Sequence, residues 1–420
     1  MTDPGGRPRR DGPRRPGTPI SRGESWDLAR AEEHLLSLEL FGMRFGLERM
    51  RRLLTVLGSP QERFRAVHVV GTNGKSSTVR FTAALLEAHG VKTGAYLSPH
   101  LTTFAERIRV ADSDLTPAEF AAAIQRTAAA AAKVDRTSPD GERVTQFELL
   151  TAAAFDELAR RGVEVAVIEA GLGGRYDATN VLGAEVVVLT NVGLEHTRWL
   201  GPTIKDIAGE KLAVVKPGAT LVLGDEHPDV VALAEGTGAR IVRPASIGLD
   251  APGYQRMNLG AAVAAAKAIL GAPLKAAPIS LAVPGRLQVV DRDPTTIYDG
   301  AHNAPGIAAL AESVPQGTVA VLSVLDDKDA AAMLRALLPR LSAAVFTRAP
   351  NPRALSPATL ADLAQKVGAA IPTEIEPDPR RAVRRARELA GEQGTVLATG
   401  SIYLVADLLS APGARRASAL

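Results

Sequence analysis

A P-loop-containing, doubly wound parallel sheet domain followed by a smaller Rossmann-like α/β domain is the fold class this sequence predicts, on three observations. Short β-branched runs alternate with alanine-rich helical stretches over residues 66–223, as in a parallel sheet with helices on both faces. The first of these runs opens directly into Gly71-Thr72-Asn73-Gly74-Lys75-Ser76-Ser77 and an amphipathic stretch reaching about His89. A strand, a tight turn and a helix start in that order aim several backbone N–H groups at one point, as a polyphosphate requires. After Pro284-Gly285 the alternation begins again, and 420 residues exceed one ordinary core.

The elements follow in chain order. Residues 1–22 hold six Arg and two Asp among Pro and Gly, without the apolar run of a signal peptide, and read as a disordered basic tail. Between Trp26 and Leu57 apolar residues recur at helical spacing, interrupted over 41–46, which predicts two helices joined by a loop. Strands are predicted at 66–70, 93–97, 163–169, 185–190 and 220–223, and a helix from Thr203. Residues 111–143, alanine-rich and then polar, predict a peripheral helix with a mobile loop. The second series places strands at 295–298, 318–324, 343–347 and 395–398. A boundary at residue 283 divides a central domain (23–283) from a C-terminal domain (284–420). Two such units in series bring their ligand crevices, at the carboxyl ends of the strands, face to face.

Composition narrows the function. The tail's +4, taken from the whole chain's +3, leaves the body at −1, so the basic pI gives no argument for nucleic-acid binding. No block approaches the roughly 18 apolar residues of a membrane span. A soluble, cytoplasmic monomer without membrane partners is expected. With no cysteine, thiolate zinc sites and Cys nucleophiles are excluded. A metal must be held by oxygen or His nitrogen, which favours magnesium.

In the phosphate loop Lys75 supplies a mobile charge for the β- and γ-phosphates, and Ser76 or Ser77 a hydroxyl for magnesium. Val69 stands where the longer Gly-x4-Gly-Lys-Ser motif has its first glycine. Glu169, ending a strand of the same sheet, is placed to hold magnesium bridging nucleotide phosphates. The next strand leads to Asn191-Val192-Gly193-Leu194-Glu195-His196. A His after a strand is often only a hydrogen-bonded structural residue, but in line with two other loops at that edge His196 reads as a metal ligand. Ser98-Pro99-His100 is a fourth loop there, readable equally as a helix cap before a proline turn. Lys211, near an apolar helix face, is either paired or chemically modified, because lysine is rarely buried alone.

The compact loop resembles that of the Mur ligase superfamily. Together with Ser98-Pro99-His100-Leu101, Glu106-Arg107-Ile108, Thr145-Gln146-Phe147-Glu148, the run from Glu169 to Asn180, Asn191 to His196, Glu210-Lys211, Pro284-Gly285-Arg286, Asp299-Gly300-Ala301-His302-Asn303 and Thr399-Gly400-Ser401, it resembles the folylpolyglutamate synthase / dihydrofolate synthase branch over residues 24–410. The resemblance implies an ATP-dependent ligase that adds L-glutamate to a folate, and also to dihydropteroate, through an acyl phosphate. It implies that Gly74, Lys75, Ser76 and Ser77 cradle ATP, that Ser98, Glu169 and His196 ligate two magnesium ions, and that Lys211 is carbamylated. Lys75, His196 and Lys211 would be the catalytic residues. Asn258, Arg286, Asp299 and His302 would grip the nucleotide. The pteroate-side pocket would be formed by Arg44, Phe45, Gly46 and Leu47, by Thr145, Gln146, Phe147 and Glu148, and by Tyr176, Asp177 and Ala178.

The chain departs from the branch at two places. Ser76 replaces the glycine common after the loop lysine, and Leu212-Ala213-Val214 replaces the usual Ala-Gly-Ile after Lys211. A peptidoglycan-type Mur ligase is the alternative within the enzyme class, disfavoured because only about 65 residues precede the phosphate strand. A P-loop switch ATPase is the alternative outside it, for which Glu169, His196 and Lys211 are superfluous.

Overall fold

The computed structural model describes residues 25–39, 46–138, 141–244, 251, 253–275, 278–280 and 282–411. The expectations for the basic tail, for most of the 41–46 loop and for Pro139 and Asp140 lie outside the described residues. Eight strands make the first sheet: β1 (Arg65–Val70), β2 (Thr93–Tyr96), β3 (Ile108–Val110), β4 (Ser113–Asp114), β5 (Val165–Glu169), β6 (Val186–Leu189), β7 (Thr220–Leu223) and β8 (Arg240–Val242). Their order is β4-β3-β2-β5-β1-β6-β7-β8. All neighbours from β2 to β8 run parallel, while β3 and β4 add an antiparallel margin.

The inner strands are buried on both faces, which is why they read as unbroken β-branched runs. Side chains alternate across the sheet. Val67 and Val69 of β1 join the core covered by helices Lys75–Glu87 and Gln255–Leu270, while Ala66 and Val70 join the core on the opposite face.

That opposite face is thicker than its alanine-rich sequence suggests. Helix Pro117–Arg136, expected as peripheral, buries Phe120, Ile124, Ala128 and Val134 in the same core as helices Leu28–Leu36, Glu48–Val56 and Gln146–Arg160. Its run of alanines lets neighbouring helices approach closely, so small side chains mark contact here, not exposure.

The second sheet contains β9 (Gln288–Arg292), β10 (Thr295–Tyr298), β11 (Thr318–Leu322), β12 (Leu341–Phe346), β13 (Thr373–Ile375) and β14 (Thr395–Thr399), in the order β13-β12-β11-β14-β10-β9. Only β9 is antiparallel to its neighbour. Separate apolar cores cover its two faces. No helix among the described residues is long and apolar enough to cross a membrane.

Candidate active site

A cavity of 2030 Å³ opens where the carboxyl ends of both sheets meet. Its floor is the phosphate loop. After β1 the chain turns through Gly71 at φ +152° and Gly74 at φ +82°, and the helix begins at Lys75. A Cβ on Gly71 would lie 1.8 Å from Thr190 Oγ1, and one on Gly74 would lie 2.2 Å from Asn258 Oδ1. Both glycines are thus required by a backbone conformation that L-residues rarely adopt and by a close neighbour. The tip is held by Asn191, whose carbonyl accepts from Thr72 N and whose Oδ1 accepts from Asn73 N, each at 2.9 Å.

Glu169 ends β5 beside the loop and is 1% exposed. Its Oε1 accepts from Ser76 Oγ at 3.0 Å and its Oε2 from Ser98 N at 3.1 Å. Burial pushes this carboxyl up, against the pull of Lys75 and the two hydrogen bonds. Of the two candidate hydroxyls, Ser76 is therefore the one engaged with Glu169. These are hard oxygen donors, and among the described residues no group of three or more His, Cys, Asp or Glu could hold a metal ion. That set fits a cation that takes most of its shell from phosphate and water, as magnesium does.

His196 lies at φ +53°, at the start of a short helix beyond β6. Burial, Lys328, Lys75 and His302 together outweigh Glu195 and lower its pKa to about 4, leaving a neutral imidazole. Glu195 meets the second domain: Lys328 Nζ is 3.1 Å and His302 Nε2 3.3 Å from its Oε1, and Asn303 Nδ2 donates to its Oε2 at 3.0 Å. Burial alone would raise this carboxyl, but His302, Lys328 and His196 hold it well below the usual range. Asn303 also exchanges two amide hydrogen bonds with Asn73, at 3.0 and 3.1 Å.

Lys211, 4% exposed, donates from Nζ to the Gly71 carbonyl at 2.9 Å. Burial first, and Lys75 second, push its pKa down to about 7. Gly174 abuts the same helix end, where a Cβ would lie 2.6 Å from the Glu210 carbonyl oxygen and 2.8 Å from that of Lys211. On the far side of the cavity Asp299, 1% exposed, accepts from Tyr254 Oη at 2.5 Å and from Leu287 N and Ala301 N at 2.8 Å. Arg286 packs over Gly300, leaving 2.5 Å between its Nη1 and any Cβ there.

The structure brings most of the expected residues to this one cavity. Gly74, Lys75, Ser76, Ser77, Ser98, Glu169 and His196 line it from the first domain, with Gln146, Phe147 and Asn258. Arg286, Asp299 and His302 line it from the second. Other expected residues stand back from it. Thr145 and Glu148 bond each other's backbone N–H as the capping box of helix Gln146–Arg160, and Glu148 also holds Arg49. Tyr176 is half exposed, Ala178 is buried, and neither Gly46 nor Leu47 reaches the cavity. Both Asp177 carboxylate oxygens are occupied by backbone N–H groups and by Thr179. Arg44 and Phe45 lie outside the described residues. Lys328, Tyr254 and Asn303 also take part and carry no assigned role in the sequence. Asn303 stands in the recognised Asp299 to Asn303 run and was findable there, whereas no motif marks Lys328.

Comparison with known proteins supports one family throughout. The Mur ligase middle domain matches residues 69–290 and the Mur ligase glutamate ligase domain residues 285–402. A Mycobacterium tuberculosis protein named dihydrofolate synthase/folylpolyglutamate synthase is 34% identical over 388 residues, 78% of this chain and 80% of its own length. Among solved structures, M. tuberculosis folylpolyglutamate synthase complexed with ADP superposes with a TM-score of 0.84 at 30% identity, covering 93% of this chain and 99% of that one. A Yersinia pestis bifunctional folylpolyglutamate synthase/dihydrofolate synthase with Mn, AMPPNP and L-glutamate bound gives 0.78 at 28% identity, covering 92% and 98%.

Proposed function

This chain belongs to the dihydrofolate synthase/folylpolyglutamate synthase family of Mur ligases, and we propose that its cleft joins L-glutamate to the carboxylate of a reduced folate, and also to that of dihydropteroate, at the expense of ATP. The protein is an ATP-dependent ligase of folate metabolism. The observation that carries the reading is convergence. A phosphate loop backed by Glu169 and Ser98 faces Arg286, Asp299 and His302 of the second domain across one cavity.

A carboxylate is a poor electrophile, so it must first be activated. One of its oxygens attacks the γ-phosphorus, the bond from that phosphorus to the β,γ-bridging oxygen breaks, and ADP leaves an acyl phosphate behind. The glutamate amine then adds to the acyl carbon, loses a proton, and expels phosphate. Lys75 and the backbone N–H groups of the loop offset the charge that moves during transfer. Ser76, Ser98 and Glu169 would hold a magnesium ion, with His196 offering a neutral nitrogen for a second. Bound there, such ions would supply positive charge to offset that of the phosphates. Asn258, Arg286, Asp299 and His302 would secure the nucleotide, and Gln146 and Phe147 the pteroate end.

Lys211 fits a carbamylated lysine. Carbon dioxide adds only to an uncharged amine, and burial keeps a large fraction of this one uncharged near neutrality. The domains divide at residue 283, ahead of β9. The deciding experiment measures ADP release by the purified chain. Release should require both L-glutamate and either dihydropteroate or a reduced folate, whereas hydrolysis indifferent to both acceptor and glutamate would reject the ligase reading.

A further inference from the structure

Asp177, expected in the pteroate-side pocket, engages both of its carboxylate oxygens within the chain. Its Oδ2 accepts from Gly171 N at 2.9 Å and from Leu172 N at 2.8 Å, and its Oδ1 from Thr179 N at 3.0 Å and Thr179 Oγ1 at 2.5 Å. A carboxylate offers about four acceptor positions, and here four donors fill them. Thr179, fully buried, is in turn met by His68 Nε2 at 2.8 Å.

The hydroxyl's one proton goes to the carboxylate, so the proton between His68 and Thr179 comes from the ring. His68 Nε2–H therefore donates to Thr179, and Thr179 donates to Asp177. Burial, with Lys216 second, lowers the His68 pKa to about 3, so the ring is neutral and this tautomer persists across physiological pH. His68 sits on β1, three residues before Gly71, and so one strand serves both ends of the site.

What the chain holds in place is a wall of the cavity. Gly171 and Leu172 line it, as does Phe147, whose ring is seated on Gly171 so closely that a Cβ there would lie 2.5 Å from Cζ. We propose that His68 and Thr179 are positioning residues for the acceptor substrate: through Asp177 they set the Gly171–Leu172 backbone and, on it, the Phe147 ring against which the pteroate end is received. The inference rests on the reading of this cavity as a folate ligase site.

The test compares Thr179→Val, which keeps shape and removes the hydroxyl, with Thr179→Ser, which restores it. Steady-state kinetics are measured with dihydropteroate and with a reduced folate, while thermal melting monitors the fold. Thr179→Val should raise the acceptor KM about tenfold and leave the ATP KM within about twofold, and Thr179→Ser should return the acceptor KM to near wild type. A merely structural residue would move both KM values together or neither, and either result overturns the proposal. If Thr179→Val does not fold, His68→Gln and His68→Leu carry the same comparison. Gln can replace the Nε2 donor, so the proposal requires a near-normal acceptor KM in the first and a raised one in the second. A wild-type chain that turns over no folate would sink the functional reading, whereas normal wild-type turnover with an unchanged Thr179→Val sinks this inference alone.

Discussion

Lys75 leaves the first turn of its helix with Nζ 3.2 Å from the Thr72 carbonyl, poised over the loop and not packed in a core. Its removal should cost catalysis and not folding: Lys75→Ala should lose about 100-fold or more in kcat/KM with an unchanged melting temperature. Wild-type turnover in a folded variant would reject the loop's assignment. Lys211 is the opposite case, a lysine inside the protein. Lys211→Ala should lose at least about tenfold in kcat, and acetate or formate should restore part of it by filling the anion site left empty. Carbon-13 NMR with labelled bicarbonate reports the carbamate directly, and a bare amine combined with near-normal Lys211→Ala turnover would dismiss it. His68 gives a pH signature. Its folded pKa of about 3 lies below the unfolded value near 6.5, so between those limits the unfolded chain binds the extra proton and stability falls as pH falls. Unfolding free energies from urea titrations between pH 6.5 and 4 should decline more steeply in wild type than in His68→Gln, by up to ~1.4 kcal/mol per pH unit. Parallel declines would mean that His68 is protonated in the fold.

Elements explain why some expected residues missed the cavity. Thr145 and Glu148 were legible as part of a motif, but a motif does not say whether a side chain serves ligand or backbone, and here the capping box holds both. The cap places Gln146 and Phe147, the next two residues, at the cavity wall. Thr145→Ala should therefore cost about 1 kcal/mol of stability. An acceptor KM that rises with no loss of stability would instead show direct contact. Strands were readable where they are buried on both faces: β7 and β10 lie at the predicted residues, and β1, β5 and β6 within two residues of them. The hairpin of β3 and β4 and the edge strands β9 and β13 were not, because short or solvent-facing strands carry no long β-branched run. The phosphate loop was legible because glycine spacing, a lysine and a following helix are local facts. The pairing of Asn73 with Asn303 spans 230 positions and leaves no local trace.

At the scale of the whole molecule, a polar seam beside the cavity joins the two domains. On one side stand Asn73 and Glu195, on the other His302, Asn303 and Lys328, joined by contacts of 3.0 to 3.3 Å. Glu195 has only 8% of its side chain exposed, so separating the domains would return it and Lys328 to water and remove the pull that holds its carboxyl ionised. Desolvation largely cancels the attraction in such buried pairs, so the seam sets geometry more than it adds stability. It joins the phosphate loop to the domain proposed to grip the rest of the nucleotide, and closure there would keep water from the acyl phosphate. Lys328→Ala combined with Asn303→Ala should leave each domain folded and loosen their arrangement. Small-angle scattering of the ligand-free variant should give a larger radius of gyration than wild type, and AMPPNP with a reduced folate should recover part of the difference. The same variant should hydrolyse ATP without forming amide in greater proportion than wild type, because a cleft that closes poorly admits water to the intermediate. Scattering curves that superimpose, with product and hydrolysis in the wild-type ratio, would show that the domains keep their arrangement without the seam.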